Sequence, residues 1–355
     1  MLILYPFRFL LSNINRHFNR PSNPFLINYS VTFRCNLDCK YCGVSRMKDV
    51  GAIKELTYKD VSDLLKDRRL KNLKVVVITG GEPFLKEDLI EILLEFKKLV
   101  SPRIFHITTN GYLTDIIADS IEYLKTKGLN IDIKISIDDI THKHDLLRGK
   151  NGSFNNAVNT IDRLRSRFNE RQLFIGINQT IFEDNYRSVP EIKNLAKKLK
   201  VAYRGFVGLK KRPLYSGVMD IDFNLVELSD EARKYIRHEL KDSYVKTLDL
   251  CGNPGFIDEI IIRHYIKGQI KMLDNSDRNK HKCMNLFTHF RLNPNGDIIT
   301  CSYDLDILGN IKEENYASIL KKEMVAKKIK KVKECGKCWL GCEVTPNWVS
   351  SLFAF

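Results

Sequence analysis

No stretch of about 20 consecutive apolar residues occurs in the chain, which excludes a membrane-spanning helix from expectation. The apolar start, Met1 to Leu11, has no basic segment ahead of it and does not read as a signal peptide. Low-complexity segments are absent, as are internal repeats beyond an alternation of strands and helices. No signature of a nucleic-acid module accompanies the net charge of +15, so no nucleic-acid partner is expected. The cations are scattered, and the densest run, Lys321 to Lys333, reads as the wet face of a helix. With 355 residues and 43% apolar content, the chain can bury one large α/β core and a smaller one, which excludes bulk disorder.

Cysteine is not abundant, but it is clustered. The nine residues fall as 35/39/42, 283/301 and 335/338/342, with Cys251 apart as a buried free thiol. Such grouping reads as metal ligation rather than disulfides, and reduced thiolates imply a cytoplasmic, low-oxygen setting. Cys35, Cys39 and Cys42 share one short loop, and their number is odd. A structural zinc site closes its shell with four N or S ligands. Three thiolates suit a cubane iron–sulfur cluster that keeps one iron open. A zinc knuckle short of one ligand is the alternative.

Past Pro24, β-rich runs alternate with helical stretches. Strands are expected at 25–33, 73–79, 103–108, 130–137, 172–181 and 201–207, and helices near 58–70, 87–99, 115–127, 153–168 and 187–200. This rhythm predicts parallel βαβ units in an α/β fold, a partial (β/α)6 TIM-like barrel. Polar motifs follow the apolar runs, where the C-terminal rim of a barrel carries its site. Cys35–Cys42 comes after the first strand, Thr79-Gly80-Gly81-Glu82-Pro83 after the second, Thr108-Thr109-Asn110-Gly111 after the third, and Ser136-Ile137-Asp138 ends the fourth. The two glycines admit close backbone approach, and Glu82 adds an acceptor. Taken singly, these are also ordinary turns and strand ends.

The string Cys35-x3-Cys39-x2-Cys42, with Tyr41 before the last cysteine, closely resembles the radical S-adenosylmethionine (radical SAM) enzymes. The resemblance implies a [4Fe–4S] cluster on these three thiolates, with SAM chelating the fourth iron. It further implies a one-electron donor such as flavodoxin or ferredoxin, and a 5′-deoxyadenosyl radical that takes hydrogen from an unactivated C–H. Gly80, Gly81, Glu82 and Pro83 resemble the family's GGEP motif, which holds the methionyl amino group of SAM. Ser136 and Asp138 resemble the strand-four positions near the SAM ribose or carboxylate. Arg148, in His144-Asp145-Leu146-Leu147-Arg148-Gly149, resembles an arginine that pairs with a SAM carboxylate. Tyr41 is expected near the adenine, and Asn110 either contacts SAM or makes a plain turn. No residue is assigned as catalytic base.

Further on, Cys283-x12-Gly296-x4-Cys301, with Cys335-x2-Cys338 and Cys342, resembles SPASM and twitch domains that hold auxiliary [4Fe–4S] clusters. The larger SPASM form has more cysteines, so one auxiliary cluster is expected, on Cys283, Cys301, Cys335 and Cys338, with Cys342 as alternative ligand. A four-cysteine zinc ribbon is the competing reading. Asn293 to Asp297 reads as a hairpin turn.

The expected organisation is an amphipathic segment over 1–24, the barrel over 25–215, a linker and helices over 216–275, the auxiliary domain over 276–345 and an apolar tail over 346–355. In the first segment Phe7, Leu10, Leu11, Ile14 and Phe18 share one helical face, with Arg8, Ser12, Asn13, Arg16 and Arg20 opposite. Such a helix either docks on the barrel or lies in a membrane interface, the latter hinting at peripheral membrane contact and a lipid-linked substrate. Peptide-modifying SPASM maturases often carry an N-terminal recognition domain, which residues 1–34 are too short to form. A small-molecule, sugar or lipid-linked substrate is therefore expected, with Asn178 and Arg204 on the late strands as substrate contacts. The rivals are a peptide maturase and a non-catalytic iron–sulfur or zinc-binding protein.

Overall fold

A computed structural model describes residues 4–44, 47, 50–208, 227–250, 256–273, 283–301 and 306–335. The chain opens with helix α1 (Leu4–His17) and strand β1 (Leu26–Ser30). It continues through α2 (Tyr58–Leu65), β2 (Val75–Thr79), α3 (Leu89–Leu99), β3 (Ile104–Thr109), α4 (Thr114–Thr126) and β4 (Ile131–Ser136). Then come α5 (Thr141–Arg148), α6 (Ser153–Arg167), β5 (Phe174–Ile181), α7 (Val189–Lys198) and β6 (Ala202–Val207). Helices α8 (Asp230–Leu250) and α9 (Phe256–Leu273) lead to β7 (His289–Leu292), β8 (Asp297–Ile299), β9 (Ile307–Asn310), α10 (Tyr316–Ile319) and α11 (Glu323–Glu334).

All six expected strands form, and each of the five expected helices between them is present. Adjacent strands β1 to β6 pair in parallel, in sequential order. The local chemistry explains the boundaries. Thr57 and Asp60 close a reciprocal capping box at the start of α2. Pro190 sits in the first turn of α7, where its missing N–H costs nothing.

The sheet does not stop at six strands. Its order is β6-β5-β4-β3-β2-β1-β7-β8-β9, so the C-terminal hairpin extends the barrel sheet across the edge of β1. Strand β7 pairs parallel to β1, while β8 and β9 run antiparallel. Covering the β1 edge satisfies backbone groups that would otherwise be a template for aggregation. Among the described residues the sheet is therefore open, with β6 and β9 as its edges, and the expected turn at Asn293–Asp297 closes with Asn293 N donating to Asp297 O at 2.9 Å. The expected domain boundary near 216 lies outside the described residues.

One face of this sheet is the core. Val76, Ile78, Phe105, Ile107, Ile133, Ile135, Ile175 and Ile177 are buried beneath the helices. On β2 and β3 the alternate residues facing the other way are only half-buried. A full TIM barrel fills its interior with branched side chains; here the inner face of β2 and β3 is only half-buried, while Asp132 and Lys134 on β4 are buried.

Helix α1 docks through residues of its polar side. Ser12 is buried and donates to Phe287 O at 3.1 Å, and Arg16 donates to Cys283 O at 3.3 Å and to Lys333 O at 2.8 Å. Leu11, Ile14 and Phe18 are exposed, Phe18 at 62%. The polar side holds because the neighbouring surface offers the backbone carbonyls of Cys283, Phe287 and Lys333, which take N–H and O–H donors. The charged run at 321–333 also departs from a wholly wet face: Lys328 in α11 is buried and ion-paired to Asp306.

Candidate active site

The first three cysteines leave β1 on a loop that neighbouring elements hold at both ends. At its base, Glu55 accepts from Thr32 Oγ1 at 2.6 Å and from Phe33 N at 2.8 Å. At its far end, Asp38 N donates to Arg148 O at 3.2 Å and Lys40 N to Leu147 O at 2.9 Å. These carbonyls are the free C-terminal ones of α5, a helix not foreseen from the sequence. Gly149 caps α5 with φ +66, and a Cβ there would stand 2.2 Å from Asp38 O, so only glycine lets the helix meet the loop.

The Gly80-Gly81 turn packs on the other flank. Gly81 N donates to Thr32 O at 2.7 Å and Glu82 N to Arg34 O at 2.9 Å. A Cβ on Gly81 would lie 2.1 Å from Arg34 O. The close approach these glycines permit is thus, first, to the cysteine loop itself. Glu82 is fully buried, accepting from Thr109 Oγ1 at 2.7 Å and from Asn110 N at 2.8 Å. It ties the ends of β2 and β3 together, and Pro83 opens the short turn that follows. Burial pushes the Glu82 carboxyl up to about 7, against the pull of those donors.

Asn110 is more than a turn residue. Its Nδ2 donates to Asn36 Oδ1 at 2.8 Å and lies 3.9 Å from Cys35 Sγ. Across the loop, Arg148 Nη1 lies 3.9 Å from Cys39 Sγ while Nη2 pairs with Asp138 Oδ2 at 2.6 Å. Burial opposes both charges of that pair, and Asp138 keeps Arg148 firmly protonated, above its usual range. Asp138 Oδ1 also accepts from Thr180 N at 2.8 Å. Burial, then Arg148, drives the His144 imidazole down to about 3, so neutral Nδ1 accepts from Asp138 N at 3.1 Å. Tyr41 stacks on Phe182 with ring centroids 4.0 Å apart. Ser136 is half-buried at the end of β4.

The donor set fits an iron–sulfur cluster. Burial, with Cys39, Glu82 and Cys42 adding to it, pushes the Cys35 thiol up to about 12, and burial raises Cys39 as well. Without a metal these sulfurs hold their protons; ligation replaces each proton with iron. Among the described residues no three His, Cys, Asp or Glu side chains converge on one point that a single metal ion could occupy. A cubane gives each thiolate its own iron and needs only three sulfurs on one loop. The N–H donors of Asn110 and Arg148 then face sulfurs that carry negative charge.

Of the later cysteines, Cys283 is buried and Cys301 and Cys335 are half-buried. Arg16 joins the first and last of these segments, through Cys283 O and Lys333 O. Asn285 Nδ2 donates to Thr300 O at 3.0 Å, which brings the segment after Cys283 to the residue before Cys301. Cys338, Cys342 and Cys251 lie outside the described residues.

Asn178 and Arg204 are directly paired in the β5–β6 register, on the inner face. Beside them is a cluster that was not anticipated. Asp132 Oδ2 lies 2.6 Å from Lys134 Nζ and 2.6 Å from His106 Nδ1. The signal was present in Asp132-Ile133-Lys134: charges at alternate positions of an apolar run mark a strand with one polar, enclosed face.

Residues 29–196 match the radical SAM superfamily and residues 283–342 match the SPASM iron–sulfur cluster-binding domain. With the open parallel sheet and the cysteine loop at its rim, the chain belongs to the radical SAM superfamily and carries a C-terminal SPASM-type region. Among curated relatives, it is 28% identical over 210 residues to Fe-coproporphyrin III synthase of Methanosarcina barkeri, covering 59% of this chain and 50% of that protein. It thus spans about half that relative's length. It is 24% identical over 330 residues to the AdoMet-dependent heme synthase of the same organism, covering 90% of this chain and 88% of that one. The solved structure of native anSMEcpe with bound AdoMet shares the fold, with a TM-score of 0.61 at 17% identity over 89% of this chain and 86% of that chain.

Proposed function

We propose that this protein binds SAM and a [4Fe–4S] cluster at Cys35, Cys39 and Cys42 and abstracts hydrogen from a small-molecule substrate, aided by one auxiliary [4Fe–4S] cluster. The observation that carries this reading is the cysteine loop, clamped between the Gly80–Glu82 turn and α5, with Asn110 and Arg148 turned toward its sulfurs. When bound, the cluster supplies the electron that breaks the C5′–S bond of SAM. The protein's own part is to hold the sulfurs, keep Arg148 charged and shield the site from water. Gly80, Gly81, Glu82, Pro83, Ser136 and Asp138 frame the space for SAM, and Tyr41 offers an aromatic edge for its adenine. Cys283, Cys301, Cys335 and either Cys338 or Cys342 are the proposed auxiliary ligands. Relatives named for porphyrin chemistry support a small organic substrate over a peptide.

The test is anaerobic reconstitution followed by assay of iron, sulfide and 5′-deoxyadenosine with SAM and dithionite. Cluster-loaded protein should cleave SAM, and Cys39→Ala should abolish cleavage while the auxiliary iron remains. Zinc in place of iron, or loss of all iron in Cys39→Ala, contradicts the reading.

The exposed strip of Leu11 and Ile14 on α1 and Phe18 just after it supports peripheral contact with a membrane interface in addition. No helix among the described residues is long and apolar enough to cross a membrane.

A further inference from the structure

Two side-chain N–H groups reach the cysteine loop from opposite flanks, and the protein fixes the direction of each. Asn110, just past β3, is buried. Its Oδ1 accepts from Tyr112 N at 2.9 Å, which settles which end of the amide is oxygen. Nδ2 therefore points the other way and donates one hydrogen to Asn36 Oδ1 at 2.8 Å. Its second hydrogen is left for Cys35 Sγ, 3.9 Å away.

Arg148, at the end of α5, comes from the other side. Its Nη2 is held by Asp138 Oδ2 at 2.6 Å, and Asp138 is buried and anchored again by Thr180 N. Its Nη1 lies 3.9 Å from Cys39 Sγ. Its Nε is shielded from solvent with no acceptor among the described residues. An unmet buried donor is costly, so Asp138, not the fullest hydrogen bonding of the guanidinium, imposes this direction. Both sulfur contacts are long for N–H···S bonds, and they gain strength when the sulfur is ionised, a charged acceptor roughly doubling such a bond.

Donors that face the sulfurs of an iron–sulfur cluster stabilise its reduced form, which carries one more negative charge, over its oxidised form, and so raise its reduction potential. Asn110 supplies a neutral donor and Arg148 a charged one, whose counter-ion binds the other η nitrogen. We infer that Asn110 and Arg148 are positioning residues that set the reduction potential of the N-terminal cluster, drawing it upward through Cys35 and Cys39 toward the reach of a one-electron donor. The inference rests on the radical SAM reading for the presence of the cluster, and on these two contacts for its tuning.

Potentiometric titration of the reconstituted protein without SAM, followed by electron paramagnetic resonance, tests it. The N-terminal signal is the one that Cys39→Ala abolishes, and the auxiliary signal serves as internal reference. Asn110→Asp keeps the acceptor for Tyr112 N and replaces the donor with a negative charge. It should lower the reduced-to-oxidised ratio at a fixed poise by about tenfold, roughly 59 mV for a one-electron couple. Arg148→Met should do the same, and Arg148→Lys, which keeps a charged donor, should fall between Arg148→Met and wild type. The auxiliary midpoint should not move. N-terminal midpoints equal to wild type in iron-loaded variants, or equal shifts of both clusters, overturn the inference. Should a variant fail to load iron, wild type carrying guanidino-15N arginine decides: a 15N hyperfine coupling to the N-terminal cluster is expected, and its absence overturns the role of Arg148. Wild type that takes up no iron–sulfur cluster removes the radical SAM reading itself, whereas SAM cleavage with unshifted midpoints removes only this tuning.

Discussion

Glu82 shows how one residue serves both the architecture and the chemistry. Its carboxyl is wholly enclosed and accepts from Thr109 and Asn110, yet burial raises it to about 7. A carboxyl whose folded pKa lies above its unfolded one binds the proton more tightly when folded. Its contribution to stability is then full below about pH 4.5 and is lost as pH rises toward 7. We expect the cofactor-free protein to lose on the order of 3 kcal/mol across that window, and Glu82→Gln to remove this slope. Urea denaturation at pH 5, 6 and 7 checks it; equal slopes in both proteins refute the assignment. Glu82 was legible from its place after β2, but its grip on Thr109 was not, because a hydroxyl on the next strand has no signature of its own. Asp138 and Arg148 were legible as separate motif residues; that they pair with each other emerges only once α5 folds back over the rim.

At the scale of elements, α5 matters most. It went unrecognised because its polar stretch, Thr141-His-Lys-His-Asp, has a weak apolar stripe, and its stability comes from packing on the cysteine loop. Gly149→Ala should strain the αL cap and collide with Asp38 O, destabilising the protein by about 2 kcal/mol and lowering iron at the N-terminal site. Melting temperature and iron content together test this, and an unchanged iron content would show that α5 does not support the loop. Helix α1 was legible as an amphipathic segment, but not which side would dock. Periodicity identifies faces, whereas the partner surface selects among them, and here that surface offers the carbonyls of Cys283, Phe287 and Lys333. If the apolar strip meets lipid, the protein should sediment with phosphatidylglycerol vesicles, and replacing Leu11, Ile14 and Phe18 with glutamine should weaken this by about tenfold or more. Wild-type protein that stays in the supernatant would contradict the membrane contact.

For the whole molecule, the six parallel strands and their helices could be read because apolar periodicity reports them directly. The continuation of the sheet into β7, β8 and β9 could not, because a pairing between residues 26–29 and 289–292 leaves no local trace. That continuation has a functional consequence. The SPASM-type hairpin shares backbone hydrogen bonds with the strand that launches the cysteine loop, so the loop of Cys35 and the hairpin between Cys283 and Cys301 spring from one sheet. On the inner face of β3 and β4, His106, Asp132 and Lys134 form a polar cluster where a full barrel packs branched side chains.

The central claim is that SAM occupies a coordination position on the cluster held by Cys35, Cys39 and Cys42. Electron–nuclear double resonance of the reduced, reconstituted protein with SAM carrying 15N or 17O in its methionyl group tests it directly. The account predicts a hyperfine coupling from the labelled nucleus to the cluster, lost in Cys39→Ala. A fully iron-loaded protein whose spectrum shows no such coupling would contradict it.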